Sequence, residues 1–229
     1  MAVKGKADGA YEAIERMIIS QEIPAGSLVS ESMLTASTGF GRTPVREALQ
    51  RLSREGMVQI HPSRGVLVPA ASVESQLRLL EVRRALERLA VQLACDRADA
   101  VQRAQMSVMV ERLTGDDFTL DSYLETVKET HQLIAAAAAN DYLADALAPA
   151  QALSRRFWIA HMRDEKRQIE TGSSLHRATL EAILAGDQPA AAAASAALID
   201  YLEDFTYAAL GGQRHNTTDR AVAAAPRAS

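Results

Sequence analysis

The sequence predicts a mainly α-helical chain in two parts, a winged helix-turn-helix followed by an antiparallel all-helical bundle. Three observations support this. Turn signals gather in the first 70 residues, as "IPAGS", "TGFGRTP" and "REGMVQIHPSRGVLVP". From about residue 72 to 210 the chain is rich in Ala and Leu. It is interrupted there only at Gly115, Asn140-Asp141, "TGSS" and "AGDQP", spacings that suit helices of roughly 14 to 25 residues. The strand-like runs "MVQIH" and "GVLVP" flank a "PSRG" turn, the pattern of a hairpin. The domains predicted are residues 8–70 and 72–210. Residues 211–229 lack large apolar side chains and are expected to form a disordered tail.

In the first part, "ADGAYEAIERMIISQEI" places Tyr11, Ile14, Met17 and Ile18 on one helical face before Pro24 and Gly26 stop it. Ser30 is a plausible N-cap for "SESMLTAST", with Glu31 favourable in the first turn. Gly39 can take the positive φ of a tight turn. Thr43 is expected to cap the third helix, with Pro44 at its first position, and Gly56 to end it. On that helix Val45, Ala48, Leu49 and Leu52 share one face, and Thr43, Arg46, Glu47, Gln50 and Arg54 share the other.

Such a polar face is ordinarily just solvated. Two features argue that it works. Arg42 and Arg46 crowd a helix N-terminus, where cations are disfavoured by the dipole. A hairpin with a basic tip, Arg64-Gly65, then follows where a wing belongs. Phosphates gain from both arginines and from the helix end itself, so the expected partner is double-stranded DNA. The formal charge of −4 does not oppose this. Between Phe40 and Gly65, Arg42, Arg46, Arg51, Arg54 and Arg64 face only Glu47 and Glu55, and phosphate attraction acts over a Debye length of roughly 8 Å.

No run is apolar enough to suggest a membrane span, and charges interrupt the N-terminal segment too often for a secretory core. The single cysteine, Cys95, suits a reducing cytoplasm and reads as a small buried apolar residue. No nucleophile–base–acid set, Glu-x-x-His pair or phosphate-cradling glycine loop supports an enzyme.

The stretch "RTPVREALQRL", followed by "EGMV" and a Gly-tipped wing, resembles the DNA-binding domain of the GntR family of bacterial transcription regulators. The resemblance spans about 60 residues. It implies dimers on inverted repeats, with the third helix in the major groove. The implied DNA contacts are Arg42 and Arg46, with Thr43 on the backbone; Gln50 and Arg64 lie on the same surface. Gly65 is expected to let the wing approach DNA closely. Two positions depart from the pattern. Ser32 stands where many relatives carry arginine, and Gly41 where Ser or Thr is usual.

The remainder, through "LEVRRALERLAVQLA", "HQLIAAAAANDYL" and "LHRATLEAILAGDQP", resembles the FadR-type (FCD) effector domain. That resemblance implies a small-molecule pocket, which in many relatives holds a divalent metal on one Asp and three His. Here the first His is His131 and the second His176. The Asp position is Val127 and the third His position Leu198, so two of four ligands are aliphatic. Two neutral histidines alone hold a divalent ion poorly. A set of His131, His161 and His176 stays open. His131 and His176 share faces with apolar residues and are expected to point inward. Phe157 and Trp158 read as core, either one able to wall a pocket. Arg83, and Arg155 or Arg156, are candidate anchors for a carboxylate effector, Arg156 being taken with Arg83, Val127, His131, His176 and Leu198 as the pocket set. The expected function is a ligand-responsive, DNA-binding homodimer.

Overall fold

The computed structural model of the chain describes residues 5–115 and 117–223, with side chains to residue 211. The first unit comprises α1 (Lys6–Ile19), β1 (Leu28–Val29), α2 (Glu31–Thr38), α3 (Arg42–Arg54), β2 (Gln59–His61) and β3 (Gly65–Leu67). The second comprises α4 (Val73–Arg97), α5 (Ala100–Thr114), α6 (Leu120–Ala137), α7 (Asp141–His161), α8 (Glu165–Ala185) and α9 (Gln188–Ala223). This is the mainly α architecture that the sequence predicts.

The amphipathic pattern of α1 and α3 builds the first core. Tyr11, Ile14, Met17 and Ile18 bury against Val45, Ala48, Leu49 and Leu52. Ser30 caps α2 by accepting from the Met33 amide, and Gly39 ends α2 at φ 73°. The hairpin forms as expected, and its sheet gains a third strand, in the order β1-β3-β2. Gly65 sits at φ 117°, and a Cβ there would lie 2.6 Å from the Val29 carbonyl oxygen. Its glycine is therefore required by the packing of β3 on β1, whatever lies outside the wing.

In the bundle, α4 lies along α9 and against α7, while α8 packs between α9 and α5. Cys95 is buried among Ala94, Met106 and Leu180, as a small apolar residue would be. Two boundaries differ from the sequence reading. "TGSS" does not break a helix, because residues 171–174 lie inside α8, whose N-cap is Asp164. Gly172 serves packing there, since a Cβ would collide with the Tyr123 hydroxyl. A break comes instead between α4 and α5, where Asp99 and Gln102 form a reciprocal capping box. At the C-terminus the helix continues past Gly211 to Ala223, where a disordered tail was expected. Extending a formed helix adds a hydrogen bond for each residue fixed, which favours this continuation. Residues 224–229 of that expected tail lie outside the described residues.

The two units share a wall. Ala152 belongs to the first unit's core, with Leu153 and Ile159 packed against it. Lys128 Nζ of α6 donates to Glu15 Oε2 of α1 at 3.2 Å.

Candidate nucleic-acid interface and effector cavity

The outer face of α3 is open. Arg42, Thr43, Arg46, Gln50 and Arg64 are all exposed, and Gly65 is half-buried at the base of the wing tip. The start of α3 differs from expectation. Gly41, not Thr43, is the N-cap, and it makes no side-chain bond. Arg42 and Thr43 are thus the first two helical residues, and Pro44 is third. Their amides belong to the turn that has no intrahelical acceptor, and Pro44 has no amide to leave unmet. This leaves an uncapped, positive helix end flanked by two arginines, a site suited to phosphate.

Arg46 is held ready. Its Nε donates to Glu31 Oε2 on α2 at 2.7 Å, with two-thirds of its side chain still exposed. Glu31, expected to serve only the α2 dipole, therefore also orients the arginine. Arg51 stays exposed, but its charge is engaged within the unit. Its guanidinium stacks 4.0 Å over the Tyr11 ring and donates to Glu55 at 3.0 Å.

The second feature lies inside the bundle. His131 of α6 and His176 of α8 meet with their Nε2 atoms 3.3 Å apart. Val127, Leu198, Arg83, Arg155, Trp158 and Tyr201 are among the residues that wall a cavity of about 40 Å³ with them. On the far side of the histidine pair is a second void of about 20 Å³, reaching Glu87 and Gln151. The tautomers follow from the bonds. The Gly172 carbonyl can only accept, so His176 donates to it through Nδ1, at 2.7 Å. His176 Nε2 is then a lone pair, and His131 Nε2–H donates to it. That leaves His131 Nδ1 as a buried acceptor without a donor. Burial lowers the pKa of His131 well below 6.5, and His176, Arg83 and Arg155 lower it further. Burial lowers that of His176 too. Both rings are neutral at neutral pH.

Of the pocket residues expected from the sequence, Arg83, Val127, His131, His176 and Leu198 come together. Arg83 is buried and locked to Glu87 by Nε and Nη2 bonds of 3.0 and 2.5 Å. Arg156 does not join them. It points into the junction with the first unit, where Nη1 donates to the Met57 carbonyl at 3.4 Å. Neighbouring helical residues lie about 100° apart, and Arg155 is the one that faces the cavity. His161 also stays out, stacked on Phe157 at 4.1 Å and bonded to its carbonyl. The three-His arrangement is therefore not formed. Trp158 walls the cavity, and Phe157 packs with Val73 and Ala209. The sequence reading missed Glu87 and Gln151, although the i, i+4 spacing of Arg83 and Glu87 signals that pair.

The residues present do not fit a four-ligand divalent ion. Val127 and Leu198 offer no donor, and the flanking charges include Arg83 and Arg155. Among the described residues no cluster of three His, Cys, Asp or Glu could hold a metal.

An exposed, arginine-flanked helix end beside a wing, joined to a bundle whose mainly apolar cavity carries a few polar groups, defines a DNA-binding regulator with a sensing domain. Residues 6–68 match the bacterial regulatory proteins of the gntR family, and residues 78–201 match the FCD domain. The chain belongs to the GntR family of transcription regulators and carries an FCD effector-binding domain. It is 32% identical over 142 residues to an HTH-type transcriptional regulator from the TAR-I ttuE-ttuC' intergenic region of Agrobacterium vitis, covering 59% of this chain and 82% of that one. It is 28% identical over 177 residues to the Nta operon transcriptional regulator of Aminobacter aminovorans, covering 76% and 83%. Two solved structures share the fold. Escherichia coli McbR/YncC superposes with a TM-score of 0.76 at 16% identity, covering 90% of this chain and 98% of that one. A GntR regulator from Rhodococcus sp. RHA1 gives 0.65 at 22% identity, covering 90% and 97%. These families and relatives are transcription regulators, not enzymes. Among the described residues no helix is long and apolar enough to cross a membrane.

Proposed function

We propose that this chain is a cytoplasmic, ligand-responsive regulator that binds an inverted-repeat operator as a homodimer. Arg42 and Arg46 read the major groove, Thr43 and Gln50 support them, and Arg64 follows the backbone from the wing. One winged helix offers few contacts, and pairing two on a palindrome raises their effective concentration. Val82 and Leu89, exposed and seven residues apart on α4, favour a second copy as the covering surface.

The cavity takes a small carboxylic acid, without the four-ligand metal of many relatives. One observation carries this: a buried acceptor without a donor and a guanidinium line the same cavity. His131 Nδ1 is a buried acceptor without a donor. Arg155 lines the cavity with five N–H donors. A carboxylate bearing a neighbouring hydroxyl answers both, accepting from Arg155 and donating to His131. The cavity of about 40 Å³ holds only a few water molecules, so ligand entry has to part the helices around it. That parting provides the conformational signal.

A second reading draws on the same small volume: the bundle only dimerises, and the chain binds DNA without an effector. A thermal-shift screen of hydroxy acids, plain carboxylic acids and neutral analogues separates the two. The ligand-responsive reading expects a stabilising acid that also changes operator affinity. Absence of any such acid, with a dimer that still binds operator, supports the second.

A further inference from the structure

Arg155 belongs to two cavities. It lines the effector cavity with His131 and Val127, and it also lines a groove of about 550 Å³ between α1 and α6, with Glu15, Glu125 and Lys128. Among the described residues, no hydrogen bond or ion pair anchors its guanidinium to either side. Burial lowers its pKa, opposed chiefly by the charge of Glu15 on α1, with Tyr11 and Glu125 adding to it.

Glu15 is itself buried and sits at the head of a charge cluster that ends on α3. The Tyr11 hydroxyl lies 2.6 Å from Glu55 and 3.2 Å from Glu15, so one proton is shared between two carboxylates. Burial, then the charge of Glu15, raises the Tyr11 pKa and keeps that proton in place. Arg51 of α3 covers the Tyr11 ring and bonds Glu55, which is the C-cap of α3. Lys128 reaches Glu15 from α6. Two carboxylates are thus balanced by Arg51, Lys128 and the field of Arg155.

We propose that Arg155 is the positioning residue that reports occupancy of the effector cavity to the DNA-reading helix, its guanidinium being contested between an anion in the cavity and Glu15 on α1. This rests on the reading that the effector is an anion. When an anion draws Arg155 inward, Glu15 loses part of its counter-charge while it still faces Glu55 across a single proton. Repulsion between those carboxylates loosens α1 from the end of α3 and so changes how α3 is presented. A charge with no second partner can move between two sites in this way, whereas Arg83, fixed on Glu87, cannot.

The test needs no identified ligand, because a carboxylate can be built into the cavity. Val127→Asp places one there, and Val127→Asn controls for shape and polarity without charge. Amide hydrogen exchange is followed in the full-length protein with chelator present, so that no metal occupies the new carboxylate. The expected result is that the Asp variant exchanges at least about fivefold faster than the Asn variant across residues 6–19 and 42–54. That difference should vanish in an Arg155→Gln background and return with Arg155→Lys, while melting temperatures report any general loss of fold. Equal exchange in the Asp and Asn variants, or a difference that survives Arg155→Gln, overturns the proposal. Failure of the acid screen with the charge coupling intact would count against the anionic effector alone.

Discussion

The same residue type does opposite work in the two halves of this molecule. On α3, arginine lies in water. Arg46 is two-thirds exposed even while it contacts Glu31, and an exposed pair of that kind contributes only about 0–1 kcal/mol. In the bundle, Arg83 is almost wholly buried against Glu87, where losing either partner leaves a charge stranded in a poor solvent. The solvated arginines are free to be transferred to phosphate at little cost to the fold. Arg83 is structural, whereas Arg155, half-buried and lining the cavity, has no fixed partner among the described residues. Burial therefore separates the arginines available to a phosphate from those fixed in the fold.

The sharpest way to break this comparison is Arg83→Met. It should destabilise the protein by about 3–5 kcal/mol in urea unfolding, because the buried Glu87 loses its counter-charge and, among the described residues, is left with the Gln151 amide as its donor. Adding Glu87→Gln should recover part of the loss. A cost below about 1 kcal/mol for Arg83→Met would mean that the pair is solvated and the contrast with α3 mistaken.

Gly65→Ala comes next. The positive φ and the approach to the Val29 carbonyl should together cost about 1–3 kcal/mol, measured by denaturation and accompanied by weaker DNA binding. Gly39→Ala shares the positive φ but has open space around it, so it should cost less. An equal cost at both positions would assign the effect to backbone strain alone.

A smaller effect concerns pH. The histidine pair is neutral in the fold, its pKa values lowered by burial, so the unfolded chain binds more protons as the solution is acidified. Stability from this source is complete above pH 6.5 and is lost as pH falls through the depressed folded values. His131→Gln should flatten the melting temperature against pH below 6.5, relative to the wild type. An unchanged slope would show that the pair is not the titrating element.

Much of the DNA-reading unit is legible in the sequence because its physics is local. The apolar face of α3, the Ser30 cap and the hairpin around "PSRG" are each set within a few residues. The bundle is less legible because its decisive contacts are between helices. Gly172 reads as a turn residue until the Tyr123 hydroxyl is seen to fill the space a side chain would need. Asp99 and Gln102 carry a capping signal, but alanine-rich sequence on both sides masks the break. Arg155 and Arg156 are indistinguishable in composition and spacing, and only the packing of α7 turns the first to the cavity and the second to Met57. The inward placing of His131 and His176 follows from their apolar faces. Their direct contact does not, because no pattern along the chain sets the distance between α6 and α8.

The central claim is that the solvated arginines of α3 read sequence, and fluorescence anisotropy on two duplexes tests it directly. One duplex is selected from a random library by the wild-type protein, and the other is its scrambled counterpart. Arg46→Ala should weaken binding to the selected duplex by about 1–3 kcal/mol, leave the scrambled duplex nearly unaffected, and change unfolding stability by less than about 0.5 kcal/mol. Unchanged affinity for both duplexes would take α3 out of the groove.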